Sequence, residues 1–199
     1  MLIPLSIRSG FRKALSPLAR LLNSASISPN VLTVIGLIPA VFAGIAFAAG
    51  RVRLGGVLVG VSGLFDLMDG LVARTANRQT TFGALLDSTV DRYAEIAIFL
   101  GLAILFKGTV TLYGVILAMA GSLMVSYLKA RAEGLGSSCD VGILQRPERL
   151  VIIIVGALLG KQSLKWAVWL IAILANFTAL ERLIRTRGNM GSQSKGDRI

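Results

Sequence analysis

The chain has 199 residues, 54% of them hydrophobic, with a mean hydropathy of +0.74, which excludes an ordinary soluble domain and sets the class as integral membrane protein. Its net charge is +11, from 21 Lys+Arg against 10 Asp+Glu, but the basic residues lie between apolar runs and only 7% of residues are aromatic. That pattern fits membrane topology and anionic lipids or substrates, and excludes a base-stacking nucleic-acid platform. Histidine is absent and Cys139 is the single cysteine. The usual proton shuttle, soft-metal ligands, an internal disulfide and a Cys-rich metal site are therefore excluded.

Residues 1–22 mix apolar and basic positions. Leu5, Phe11, Leu15, Leu18 and Leu22 predict one face of an amphipathic helix lying on the membrane surface. The basic residues spread through this stretch do not read as a cleavable signal. Ser28 then caps a first span over 31–49, with Pro29 at its first helical position. A second span is expected at about 54–71 and a third at about 81–106, separated by a polar loop at 74–80. A fourth covers about 109–128, its helix continuing through Glu133. A fifth, at about 149–159, is short unless helix through Pro147 and Glu148 extends it. A sixth covers about 164–184, and residues 187–199 read as a disordered tail. The expected fold is thus an all-α, six-span bundle over 28–186 with an interfacial N-terminal helix. Fifteen Lys and Arg fall on the side of the termini and five on the other. That bias predicts cytoplasmic termini.

Four carboxylates stand out in this apolar setting. Asp66 and Asp69 are three apart at the end of span two; Asp87 and Asp91 are four apart at the start of span three. Both spacings put each pair on one helix face, and a short loop between antiparallel neighbours can bring the pairs together. Four unpaired carboxylates there would repel one another, so protonation or cations must relieve them. Hard oxygen donors without His or Cys favour Mg²⁺, Mn²⁺ or Ca²⁺, and two such ions can clamp phosphate oxygens. Helix capping or pairing with Arg74, Arg78 and Arg92 is the plainer explanation, and it suits Asp69 alone better than all four. Gly70 and Gly83 permit close approach of a ligand or of a neighbouring helix. Arg74, one turn beyond Gly70, can neutralise a diphosphate.

The stretch 66–91 reads D-x2-D-G-x2-A-R-x8-G-x3-D-x3-D, with eight fixed positions. It resembles in full the signature of the CDP-alcohol phosphotransferase (phosphatidyltransferase) family, and the likeness extends to the Ser-Pro-Asn entry at Ser28 and to Thr33. The resemblance implies transfer from a CDP-linked lipid donor to an alcohol, with release of CMP. It implies two Mg²⁺ or Mn²⁺ ions on Asp66, Asp69, Asp87 and Asp91, with Asp91 also the general base. Asn30, Thr33, Asp69, Gly70, Ala73, Arg74 and Gly83 would line the CDP site. It also implies a homodimer.

Two further segments, 126–133 (SYLKARAE) and 145–149 (QRPER), resemble those of the phosphatidylinositol-phosphate and archaetidylinositol-phosphate synthases. That likeness implies a small phosphorylated acceptor, inositol 3-phosphate, with its phosphate held by Lys129, Arg149 and Arg182. Read as topology determinants, Lys129, Arg131, Arg146, Arg149 and Arg182 would instead pair with Glu133, Glu148 and Glu181. The 134–145 connection departs from the closest inositol-phosphate enzymes, so glycerol 3-phosphate and phosphatidylglycerophosphate synthesis stand as the alternative. A divalent-cation transporter is a third reading. It is opposed by the clustering of all the acids on one side of the predicted bundle. A scaffold without catalysis is opposed by the intact signature.

Overall fold

The computed structural model describes residues 17, 28–75, 79–137, 139 and 141–196, with side chains as far as 188. The expected amphipathic helix at 1–22, Pro17 apart, and Arg78 lie outside the described residues. The described chain folds into helices α1 (Pro29–Ala48), α2 (Val52–Thr75), α3 (Thr81–Leu105), α4 (Thr111–Gly134), α5 (Arg146–Leu158) and α6 (Lys161–Gly196).

Their limits follow local chemistry. Ser28 Oγ accepts from the Val31 amide at 3.4 Å, with proline in the first turn of α1. Thr80 Oγ1 accepts from the Gly83 amide at 2.9 Å and caps α3. Gly50 and Gly108, both at φ +76, make the turns after α1 and α3, a conformation that costs glycine little. Helix does run through Pro147 and Glu148, as α5 requires. The backbone of α6 starts at Lys161, earlier than expected, and continues to Gly196 through most of the stretch expected to be disordered. Once a long helix is nucleated, each further residue adds a hydrogen bond at small cost, which overrides a weak Gly/Ser composition.

Helix α1 packs on both α2 and α3, α4 pairs with α6, α5 bridges α2 and α6, and α3 touches α4. A continuous core runs through Phe47, Phe99, Leu102, Val115, Ile153 and Ile171. Small residues set the tightest crossing: a Cβ on Gly101 would fall 2.1 Å from the Gly44 carbonyl oxygen. Close backbone approach of this kind is how helices associate where lipid removes the hydrophobic drive. Large apolar residues such as Ile38, Phe42, Leu100, Ile104, Ile173 and Phe177 face outward, as lipid-facing surfaces do. Four helical stretches are long and apolar enough to cross a bilayer: α1, α2, α4 and Lys161–Gly188 of α6. Helix α3 falls outside that set because Asp87, Asp91, Arg92 and Glu95 lie along it. Helix α5 has 13 residues, about 20 Å of rise against roughly 30 Å of hydrocarbon.

Candidate active site

The last turns of α2 carry Asp66 and Asp69, and the first turns of α3 carry Asp87 and Asp91. Asp66, Asp69 and Asp87 each present a carboxylate oxygen, and the three oxygens lie within 4.8 Å of one another. Asp69 is buried, and Thr33 Oγ1 from α1 donates to its Oδ2 at 2.6 Å. Asp87 Oδ1 is buried with no hydrogen-bond partner among the described residues. A buried orphan oxygen beside two further carboxylates is costly unless a cation completes it. The donor set, all carboxylate oxygen, fits Mg²⁺ or Mn²⁺.

Asp91 stands beside this trio and is held differently. Arg146, at the start of α5, places Nη2 2.8 Å from Asp91 Oδ1 and Nη1 3.0 Å from Asp66 Oδ2. Arg92 Nη1 lies 3.7 Å from Asp91 Oδ2 and also donates to the Ser88 carbonyl. Thr33, Gly36, Ser62, Asp66, Asp69, Val90, Asp91, Ala94 and Arg146 line one cleft. Ser62 Oγ donates to the Gly36 carbonyl at 2.8 Å and pins α2 to α1 below the acids. Gly83 sits where a Cβ would come within 3.1 Å of Asn30 Oδ1, and a Cβ on Gly70 would come within 3.3 Å of Arg74 Nη2. The structure therefore joins Thr33 to Asp69 and Asn30 to Gly83. It leaves Arg74 exposed at the end of α2, with Gly70 and Ala73 half-buried nearby.

A second cleft, of about 530 Å³, is lined by Lys129, Val141, Gly142, Ile143, Gln145, Glu181 and Arg185. Of the three expected acceptor cations, Lys129 alone lines it. Arg149 is buried: its Nε donates to Glu95 Oε1 at 2.8 Å and its Nη1 to the Leu144 carbonyl at 3.3 Å. Its Nη2 is buried without a partner among the described residues. Arg182 is buried too, with Nε donating to the Val141 carbonyl at 2.8 Å and Nη1 to the Val125 carbonyl at 2.5 Å. Both arginines thus grip the 141–144 backbone that walls the cleft. Lys129 Nζ lies 3.6 Å from Glu133, the local pairing expected for it, whereas Glu181 pairs with Arg185, whose Nη2 lies 3.1 Å away.

The sequence profile of CDP-alcohol phosphatidyltransferase matches residues 26–179. The chain belongs to the CDP-alcohol phosphatidyltransferase family. It is 35% identical over 195 residues to the phosphatidylinositol phosphate synthase of Mycobacteroides abscessus, spanning 93% of this chain and 89% of that one. It is 37% identical over 181 residues to the archaetidylinositol phosphate synthase of Methanothermobacter thermautotrophicus, spanning 89% and 90%. The crystal structure of the Mycobacterium tuberculosis phosphatidylinositol phosphate synthase with CDP-DAG bound superposes with a TM-score of 0.80 at 32% identity, covering 87% of this chain and 94% of that one. The same enzyme in complex with manganese and citrate gives a TM-score of 0.79 at 32% identity, covering 86% and 88%.

This phosphatidyltransferase is therefore a membrane-associated enzyme of phospholipid synthesis with a divalent-metal site. Three of its site residues escape a reading by spacing. Arg146 and Glu95 meet their partners only through tertiary contact between α3 and α5. Arg185 resembles any other interfacial cation in sequence. The sequence signals for Arg146 are its membership of the QRPER segment and its place three residues before Arg149, which puts both on the side of α5 that meets α3.

Proposed function

We propose that the enzyme transfers the phosphatidyl group of a CDP-linked lipid, CDP-diacylglycerol or its ether analogue, to a hydroxyl of inositol 3-phosphate, releasing CMP. The observation that carries this reading is the trio of converging carboxylates with Asp91 beside it, on a chain whose named relatives make inositol-phosphate lipids. Asp66, Asp69, Asp87 and Asp91 would hold two Mg²⁺ or Mn²⁺ ions, which would supply charge neutralisation at the diphosphate. Asn30, Thr33, Asp69, Gly70, Ala73, Arg74 and Gly83 line the CDP site in this account. Thr33 acts there by fixing the Asp69 carboxylate, and Gly83 by leaving room beside Asn30. Asp91 accepts the proton of the attacking hydroxyl. The acceptor oxygen bonds to the lipid-linked phosphorus, the bond from that phosphorus to the CMP oxygen breaks, and CMP leaves with the electron pair.

Lys129 meets the acceptor phosphate in the second cleft. Arg149 and Arg182 shape its wall, with Arg149 Nη2 the donor that still lacks a partner among the described residues. A cationic cleft near a carboxylate cage suits a phosphorylated alcohol better than a neutral one. The bundle over 28–186 spans the membrane six times, α3 and α5 included, since α3 turns Leu100 and Ile104 outward and its acids inward. The basic bias places both termini and the site on the cytoplasmic side of a prokaryotic plasma membrane. There a soluble acceptor meets a lipid donor, and two copies form a dimer.

The test is an acceptor panel on purified enzyme with CDP-diacylglycerol and Mn²⁺, reading CMP release. Inositol 3-phosphate supports release, while free inositol and serine do not. Release with glycerol 3-phosphate alone would move the enzyme to phosphatidylglycerophosphate synthesis.

A further inference from the structure

Arg146 is placed unlike any other cation among the described residues. Its guanidinium forks across two carboxylates from different helices, Asp66 on α2 and Asp91 on α3. Its Nε is buried and has no hydrogen-bond partner among the described residues. Among the described residues, those two acids are the partners of its guanidinium. It also sits at the N-terminus of α5, where the helix dipole disfavours a positive charge. The carboxylates therefore outweigh the dipole. The other cation near Asp91, Arg92, is 3.7 Å away, partly exposed and already donating to the Ser88 carbonyl.

The carboxylate cage is consequently divided. Asp66, Asp69 and Asp87 converge, and Asp87 Oδ1 lacks a partner among the described residues. Asp91 has its Oδ1 taken by Arg146. We propose that Arg146 is the resident cation of the Asp91 half of the cage. One divalent ion enters among Asp66, Asp69 and Asp87 with Arg146 in place, and a second ion reaches Asp91 only by displacing the guanidinium. This rests on the reading that the cage holds divalent metal. It adds that the two ions bind unequally and that a side chain of this protein sets the difference. A planar fork is needed for this, because a lysine ammonium is a single point and cannot bridge both acids with the same geometry.

The experiment is Mn²⁺ titration of detergent-purified wild type, Arg146→Gln and Arg146→Lys, reading free Mn²⁺ by electron paramagnetic resonance. Melting temperature is measured with and without Mn²⁺. In wild type the second ion binds at least roughly tenfold more weakly than the first, the scale of a lost charge-assisted hydrogen bond. In Arg146→Gln the second ion tightens toward the first; the metal-free protein melts lower than wild type, and Mn²⁺ restores it. Arg146→Lys falls between. Equal affinity for two ions in wild type, or an unchanged second affinity in both variants, overturns the proposal and leaves the metal site standing. No Mn²⁺ binding by wild type overturns both.

Discussion

The two clefts are built by opposite means. The carboxylate cleft takes its acids from two helices at spacings of three and four, so regular helix alone aligns each pair. The second cleft takes its wall from 141–145, an irregular segment held by the buried guanidiniums of Arg149 and Arg182. In the first cleft the charged residues face the space they serve. In the second, two of the three expected cations lie behind the wall, and Lys129 and Arg185 face the space. The chemistry of the donor half is thus written in local periodicity, and the shape of the acceptor half in long-range contacts.

The sharpest way to break this contrast is at Asp91. Asp91→Asn lowers CMP release by roughly 10²–10⁴-fold, the usual contribution of a general base, while purified yield and melting temperature hold. Full activity would remove Asp91 from that role. Next comes the buried pair of α3 and α5. Arg149→Met strands Glu95 in the core and costs about 3–5 kcal/mol of stability, read by unfolding in detergent. Glu95→Leu in the same chain recovers much of that loss, whereas an unchanged melt would show that Arg149 does not hold the wall. A smaller effect is expected at Lys129. Lys129→Ala raises the KM for the phosphorylated acceptor roughly tenfold and leaves that for the CDP-lipid unchanged, as loss of one charged contact does. Equal rises in both would merge the two clefts into one site. The smallest effect is at Arg185, exposed and tied to Glu181. Arg185→Ala changes the acceptor KM by about two- to threefold, the scale of a screened surface charge.

Legibility in the sequence followed the same divide. Asp66, Asp69 and Asp87 converge as their spacing implied, and Ser28 caps the helix it was expected to cap. Helix through Pro147 was also readable, since proline fits a first turn. The stretch beyond residue 186 was not. Its composition favours disorder, but the helix running into it continues. The roles of Arg149 and Arg182 were blurred for a related reason. A cation at a helix end reads alike whether it faces solvent, lipid or a buried carbonyl, and only the fold puts Glu95, Val125 and Val141 beside them. Helix α3 is a third case: its four charged residues keep it from reading as a span by composition, even though it joins the same core through Ile98, Phe99 and Leu102.

The most direct measurement is a competition. Purified enzyme is given CDP-diacylglycerol, Mn²⁺ and equal concentrations of inositol 3-phosphate and glycerol 3-phosphate, and the lipid products are weighed by mass spectrometry against CMP released. The account predicts phosphatidylinositol phosphate as the main lipid, formed one for one with CMP and lost when the metal is chelated. Phosphatidylglycerophosphate as the main lipid, or CMP release without either product, would contradict it.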